Sequence, residues 1–178
     1  MNRGERDLFR ILVARYSAVA KRTALLCGAG DDADDVVQEA FVAAYRALER
    51  FRVADAFRPW LLRIVINQAH NATRRRRRAQ SLVDRAAAWP VDTVLHDTPA
   101  VSALTTERRK VLVTALGEMR PADREILAMR FLMDLSEAET STALGLARGT
   151  VKSRTARALD RLRRELAGRD LEVGIGDE

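Results

Sequence analysis

A short turn followed by a two-sided helix pattern occupies residues 144–164, which read LGLARGTVKSRTARALDRLRR. Apolar residues recur there at the spacing of a helix that buries one side. This apolar stripe consists of Val151, Ala158, Leu159, Leu162 and Leu166. The opposite side carries Thr150, Ser153, Arg154, Arg157, Arg161 and Arg164. The segment is therefore predicted to form a helix packed on one side only, after a turn at Gly145.

The unpacked side of this helix is strongly cationic. From Arg148 to Arg164 there are seven basic residues and one acid, Asp160, which gives a local net charge of +6. A helix with an apolar back, a cationic front and a turn before it suits the major groove of DNA. The alternative is a solvated surface helix, but the turn, the stripe and the charge together favour DNA contact.

Composition favours helices in the rest of the chain as well. The 178 residues include only 9 Gly and 4 Pro, and aromatic residues make up 5%. Alanine, leucine and arginine are abundant, and these residues have high helix propensity. We find no alternating strand pattern and no Asn-Gly or Asp-Gly hairpin signal. We therefore predict an all-α protein.

Charge, hydropathy and cysteine content limit the partners and the compartment. The net charge of +6 indicates a polyanionic partner, without choosing between nucleic acid and a membrane surface. No apolar run approaches the roughly 20 residues that a membrane helix needs, and the first residues lack the apolar core of a signal peptide. Cys27 is the one cysteine, so an internal disulfide is excluded. We expect a cytoplasmic protein that does not enter the membrane.

Periodicity divides the chain into two small helical domains joined by a linker. Residues 79–103 contain Pro90 and Pro99 and lack sustained periodicity, so they are predicted to be the linker. Residues 1–78 form a first domain of three or four helices. Residues 104–178 form a second domain of four helices with a helix-turn-helix and a short tail.

Local signals set the helices of the first domain. Cys27-Gly-Ala-Gly predicts the end of a long first helix, and the carboxylates of 31–35 predict the start of the next. The buried stripe predicted for the next helix consists of Val37, Phe41, Ala44, Leu48 and Phe51. A further helix starts near Phe57, buries Leu61, Ile64, Val65 and Ala69, and runs out into Arg74–Arg78.

Similar signals set the helices before the basic helix. One helix is predicted to close at or just beyond Gly117, and Pro121 starts the next. That next helix is expected to face Ile126, Leu127 and Phe131 inward. Ser136-Glu-Ala-Glu139 is a capping-box pattern, which predicts a third helix start.

The residue types of enzyme sites are not assembled in this sequence. His70 and His96 are far apart, and neither is spaced with a cysteine or a carboxylate pair as metal ligands are. There is no phosphate-cradling glycine loop, and Cys27 suits a small buried residue. We therefore predict no catalytic residues, no metal site and no cofactor, and we do not expect an enzyme.

Three segments in this order resemble one protein family. They are DADDVVQEAFVAAYRALERFR at 32–52, FRPWLLRIVINQAHN at 57–71 and LSEAETSTALGLARGTVKSRTARALDRLR at 135–163. The chain resembles the extracytoplasmic-function sigma factors of bacterial RNA polymerase, apart from the linker and the last dozen residues. The resemblance implies a subunit that binds core polymerase and directs promoter-specific transcription initiation.

The resemblance implies contacts with the polymerase through one helix face. In the family, a D-x-x-Q-E pattern docks on the clamp helices of the β′ subunit, and here it falls on Asp35, Gln38 and Glu39. These residues lie off the predicted stripe, so they are available to contact the polymerase. The alternative is that they only cap and solvate the helix. For Asp34 we favour capping. The β flap is a second polymerase contact that the resemblance implies.

The resemblance places minus-ten recognition on the loop before FRPW and on the helix behind it. The implied residues are Arg52, Trp60, Arg63, Asn67, Arg74, Arg75 and Arg76. Trp60 has two interpretations, a base-stacking platform or, more commonly for such a residue, part of the core. Asn67 is the stronger candidate, because its amide offers both a donor and an acceptor to a base edge. The arginine run is expected to contact phosphates. The alternative is that it forms the solvated edge of the linker.

The resemblance places the basic helix in the minus-thirty-five element. The implied residues are Arg148, Thr150, Lys152, Ser153, Arg154 and Arg157. Arg154 and Arg157 are expected to read bases, and Arg148 and Lys152 to touch phosphates. The family usually has an apolar residue and then alanine where this chain has Thr140-Ser141. This polar pair buries less apolar area, so we expect weaker packing between the two helices of the motif.

Two other classes of protein compete with a sigma factor. An autonomous helix-turn-helix regulator with a helical effector domain would not need the Asp35, Gln38 and Glu39 face. An interaction protein that occupies the polymerase without using DNA would not need two cationic surfaces. Proteins of the resembled family often have an anti-sigma factor as a further partner.

Overall fold

The computed structural model describes residues 3–48, 51, 57–79 and 106–173. All regular elements in these ranges are helical, so the prediction of an all-α fold is confirmed for them. The chain divides into two compact units, Met1–Ala87 with Thr142–Gly145 and Ala88–Ser141 with Leu146–Glu178. The predicted linker at 79–103 lies outside the described residues except for Ala79, which ends a helix.

Three α-helices that pack on one another form the described part of residues 1–79. They are α1 (Arg3–Leu26), α2 (Ala33–Ala47) and α3 (Phe57–Ala79), with a 3-10 turn at Gly30–Asp32 before α2. Their buried side chains include Ala20, Ala24, Val36, Ala40, Phe41, Ala44, Leu61, Leu62, Val65 and Ala69. Alanine at so many contact positions favours close approach of the helices.

The stripe predicted on α2 is only partly right. Phe41 and Ala44 are buried as expected, but Val37, Leu48 and Phe51 are half-buried. Val36 and Ala40, which the prediction omitted, lie in the core instead. The reason is that α2 packs against both α1 and α3, so its buried side is broader than a single stripe.

The end of α1 is fixed by two glycines and by the far end of α3. Gly28 and Gly30 have φ of 85° and 58°, which confirms the helix end predicted at Cys27-Gly-Ala-Gly. The Arg76 guanidinium donates to the carbonyl oxygens of Gly28 at 2.8 Å and Ala29 at 3.0 Å, and lies 3.4 Å from Asp32 Oδ2. Arg76 therefore braces the turn that joins α1 to α2.

Four α-helices form residues 106–173, as predicted. They are α4 (Thr106–Glu118), α5 (Pro121–Leu127), α6 (Glu137–Leu144) and α7 (Arg148–Val173). Asp123 of α5 is buried, and its Oδ2 accepts from Arg120 at 3.0 Å and also from Arg161 of α7. Arg161 was predicted on the exposed side of the basic helix. That prediction is wrong, because the ion pair with Asp123 holds Arg161 half-buried between α7 and α5.

A π-helical turn at Ala128–Leu132 continues α5 and changes which residues face inward. Ile126 and Leu127 are buried as predicted, but Phe131 is 49% exposed, so its predicted burial is wrong. The prediction assumed the α-helical period, whereas Met133 N donates to Ala128 O, five residues back, at 2.9 Å. The wider turn brings Met129 and Met133 into the core in place of Phe131.

The helix-turn-helix begins with the predicted capping box. Ser136 N donates to Glu139 Oε2 at 2.8 Å, and Glu139 N donates to Ser136 Oγ at 3.2 Å. Gly145 supplies a φ of 66° at the turn before α7. Ser141 Oγ donates to the Leu146 carbonyl, so this polar residue braces the turn from α6. Thr140 is fully buried, and the weaker packing expected from the polar pair stays a prediction.

Candidate functional site

The residues predicted to bind polymerase lie on the outer side of α2. Asp35, Gln38 and Glu39 are all exposed and lie within little more than one turn of the helix. Asp34, predicted to cap the helix, forms an ion pair with Lys21 of α1 at 2.8 Å. The outer side of α2 thus presents two carboxylates and an amide outside the buried core of the three helices.

A cavity adjoins the α2 face on each side. Between α2 and α3, a polar cavity of about 450 Å³ is lined by Asp35, Gln38, Glu39, Val42, Ala43, Arg46 and Gln68. Between α1 and α2, an apolar groove of about 710 Å³ is lined by Phe9, Val13, Ser17, Asp34, Val37, Gln38, Phe41, Val42 and Tyr45. Gln38 borders both. Val42, 45% exposed, was missed by the sequence analysis although it continues the helical spacing from Gln38.

One side of α3 presents a continuous polar strip. Asn67, predicted to contact a base, is exposed, and so is Arg63 one turn before it. The same spacing of three or four residues continues beyond Asn67, so the full strip is longer than predicted. It comprises Trp60, Arg63, Asn67, Asn71, Arg74 and Arg78. At about 1.5 Å per residue the strip is roughly 27 Å long, a length that suits a stretch of nucleic-acid strand.

Trp60 belongs partly to an aromatic cluster at the start of α3. Its ring centroid lies 4.8 Å from that of Phe51 and 5.5 Å from that of Phe57. Phe57 is itself buried and lies 5.2 Å from Tyr16 of α1. Because Trp60 is half-buried, it contributes to the core and also shows one part of its ring at the end of the strip. Arg52, predicted for the same region, lies outside the described residues.

The arginines of the run at 74–78 have different surroundings. Arg74 is exposed on the strip and donates to Asn71 Oδ1. Arg75 Nη2 lies 3.2 Å from Glu39 Oε2, so one predicted DNA residue is paired with one predicted polymerase residue. Arg76 is only 28% exposed and faces the end of α1. Of the three arginines predicted for DNA, only Arg74 lies on the strip.

The predicted base-reading side of α7 faces solvent. Arg148, Lys152, Ser153, Arg154 and Arg157 are exposed, and Thr150 is half-buried. Val151 and Ala158 are buried on the opposite side. Arg157 Nε donates to the Ser153 carbonyl at 3.1 Å, so this arginine lies back along its own helix.

Within the described ranges, no group of three or more His, Cys, Asp or Glu side chains is placed to hold a metal ion. No helix in those ranges is both long enough and apolar enough to cross a membrane.

Comparisons with known proteins identify the family. The family model for Sigma-70 region 2 matches residues 8–79, and the model for Sigma-70, region 4 matches residues 109–162. The ECF RNA polymerase sigma-E factor of Escherichia coli is 34% identical over 165 residues, which cover 89% of this chain and 86% of that protein. The corresponding factor of Haemophilus influenzae is 30% identical over 172 residues, 93% of this chain and 91% of that protein. The chain belongs to the extracytoplasmic-function sigma factors.

Solved structures agree with this assignment. A structure of CnrH in complex with the cytosolic domain of CnrY is 28% identical in sequence, with a TM-score of 0.64 over 92% of this sigma factor and 90% of CnrH. The sigma factor RpoE of Bartonella quintana, in complex with the anti-sigma factor NepR, is 21% identical and shows the same fold, with a TM-score of 0.65 over 89% and 96% of the two chains. This chain is an alternative sigma factor that directs transcription initiation, as the sequence predicted.

Proposed function

We propose that three surfaces of this sigma factor divide the steps of initiation. The outer face of α2 binds the β′ clamp helices of core RNA polymerase. The strip on α3 holds the opened minus-ten element, and the exposed side of α7 reads the minus-thirty-five element. The observation that carries this division is the continuous strip of aromatic, amide and guanidinium groups on α3, adjacent to the carboxylates of α2.

On α2, the proposed docking residues lie outside the buried core. Asp35 and Gln38 are exposed, while Val36, Ala40 and Ala44 fill the core from the other side of the helix. An exposed acidic face beside an apolar groove suits a partner helix with basic and apolar side chains. The region 2 match over residues 8–79 supports this assignment, because it includes the whole of α2.

On α3, the order of chemical groups along the strip suits an opened strand. Trp60 offers part of a ring for stacking, and Arg63 and Asn67 follow with hydrogen-bonding groups for a base or sugar. Arg74 and Arg78 then offer charges to phosphates. Extruding a base costs a few kcal/mol, and stacking supplies about 1–3 kcal/mol per base, so such a strip can hold an opened strand.

α7 follows a braced turn that fixes its position. Ser141 and Gly145 fix the approach of α7 to α6, and the buried Val151 and Ala158 fix which side is outward. Arg154 is then placed to reach a base edge, and Arg148 and Lys152 to touch phosphates.

Further parts of the proposal concern partners and compartment. An anti-sigma factor is a partner of this chain in our proposal, since CnrH and RpoE were each solved in complex with another protein, for RpoE an anti-sigma factor. The β flap is the second contact with core polymerase. We place the protein in the cytoplasm, where the polymerase acts, and assign the chemistry of RNA synthesis to the polymerase.

Run-off transcription with purified core polymerase on genomic fragments tests the function, and competition for core tests the docking face. Replacing Asp35 and Gln38 together by alanine should weaken core binding at least tenfold, because truncating central interface residues costs more than about 1 kcal/mol each. Helicity and melting should be almost unchanged, since both side chains are exposed. A double variant that competes for core as well as the wild type does would remove α2 from the proposal.

If instead the chain selects one duplex sequence without core, it acts as an autonomous regulator.

A further inference from the structure

The polar cavity between α2 and α3 has the chemistry of a site for a cationic side chain. Asp35 and Glu39 contribute carboxylates, and Gln38 and Gln68 contribute amide groups, around a volume of about 450 Å³. Arg46 lines the same cavity, at the next turn of α2 after Glu39 and Val42. An ammonium or guanidinium group entering from the side of Asp35 would find several hydrogen-bond acceptors.

Glu39 already holds a guanidinium at the edge of this cavity. Arg75 Nη2 lies 3.2 Å from Glu39 Oε2, and the side chains are 63% and 47% exposed. An ion pair with this exposure is screened by water and salt, and such pairs contribute about 0–1 kcal/mol. A second cation that approaches Glu39 can therefore replace Arg75 at little cost.

Arg75 lies next to the strip on α3 as well as next to α2. It follows Arg74, and the helical rotation of about 100° per residue places it on the flank of the strip that faces Glu39. While Arg75 is paired with Glu39, the charge of Arg75 is partly neutralised. Released from Glu39, its long side chain would add one more cation beside Arg74 for a phosphate.

We propose that a cationic side chain of core RNA polymerase enters the cavity and replaces Arg75 on Glu39, and that the released Arg75 binds a phosphate of the opened strand. This exchange rests on the docking of α2 on the polymerase proposed above. It links the two surfaces through one carboxylate. Because coupling between two binding events is reciprocal, binding of the opened strand then strengthens binding of core by the same factor.

The first test uses the free, full-length protein and a fluorescein-labelled oligothymidylate at several salt concentrations. Glu39→Gln should tighten binding about twofold to fivefold, the range that an exposed ion pair supports, and steepen the log–log salt slope by about 0.7. Arg75→Gln should change little, because Arg75 is paired in the free protein. In the Glu39→Gln, Arg75→Gln double variant the gain should disappear.

Two matched controls separate the exchange from a general effect of charge. Asp35→Asn removes a carboxylate from the same face that does not pair with Arg75, so it should leave the salt slope unchanged. Arg77→Gln removes an exposed arginine of the same run, and its effect should be equal in the free protein and in the holoenzyme. If the gain from Glu39→Gln survives in the double variant, it reflects overall charge and the exchange is wrong.

The second test uses holoenzyme on a template premelted around a start site mapped by run-off transcription. On this template Arg75→Gln should lower the occupancy by holoenzyme about twofold to fivefold, although it has little effect on oligothymidylate binding by the free protein. Equal losses in both states would overturn the exchange. The competition assay with the Asp35 and Gln38 variant separates the two proposals. If core binding is lost in that variant while Arg75→Gln acts alike in both states, docking stands and only the exchange fails.

Discussion

In the arginine run of α3, Arg75 and Arg76 contact other parts of the protein, whereas in α7 the cations of the first three turns all face solvent. Arg75 pairs with Glu39, and Arg76 donates to a carbonyl of the turn after α1. Both arginines therefore have partners within the fold. In α7, Arg148, Lys152 and Arg154 remain exposed, and pairing with a buried carboxylate begins only at Arg161. Equal charge density along a helix therefore does not mean equal availability to DNA.

The difference also separates two kinds of contact. The exposed side of α7 is mainly cationic and hydroxyl-bearing, which suits a duplex groove and its phosphates. The strip on α3 mixes an aromatic ring, amides and guanidinium groups, which suits bases that have left the duplex. The three predictions that follow test whether this contrast holds, starting with the largest expected effect.

Arg76→Ala should lower the free energy of unfolding by about 2–3 kcal/mol. It removes a charged donor from two carbonyls and a carboxylate at the end of α1, and hydrogen bonds to charged groups contribute about 1.5–3 kcal/mol. Arg74→Ala, two residues away on the exposed side, is the matched control and should change stability by less than about 0.5 kcal/mol. Urea unfolding of both variants measures this. Equal stability of the two would show that the arginines of α3 are interchangeable.

Arg154→Ala should cost about 1–3 kcal/mol on the cognate minus-thirty-five element and flatten the preference at one or two base positions. Lys152→Ala should weaken all sequences alike and reduce the salt slope by about one. A screen over a randomised upstream element, read at two salt concentrations, distinguishes the two effects. If Arg154→Ala and Arg157→Ala both keep the preferred sequence, α7 supplies affinity alone and another surface reads the element.

Asn67→Ala should lower transcription from duplex promoters about twofold to tenfold, the effect of losing one hydrogen bond worth about 0.5–1.5 kcal/mol. On a template already mismatched across the minus-ten region the loss should be smaller, because no opening is needed. Equal losses on duplex and mismatched templates would assign Asn67 to general binding and weaken the contrast between α3 and α7.

Local chemistry made much of this fold predictable. The capping box at Ser136 and Glu139 and the helix end at Gly28 were read correctly, because each depends on residues a few positions apart. The exposure of Arg154 also followed from helical period alone. The family resemblance then supplied the roles, which no periodicity contains.

The features that the sequence did not predict depend on contacts between segments far apart in the chain or on an irregular helical turn. The roles of Arg76 and Arg161 depend on Gly28 and Asp123, residues far away in sequence, so a charge pattern along one helix could not reveal them. Phe131 was misplaced because a π-helical turn leaves no clear mark in the residues that form it. The arginines assigned to DNA by sequence thus included two, Arg75 and Arg76, that have partners within the fold.

The two fixed ends of α3 have a consequence for the rotation of this helix about its own axis. The ring of Trp60 is held by Phe51 and Phe57 at one end, and Arg76 is held by the end of α1 at the other. One residue inserted between them would turn everything on one side of the insertion by about 100° relative to the other. Substitutions along the strip are therefore far easier for this helix to accommodate than any change in the number of residues between its two anchors.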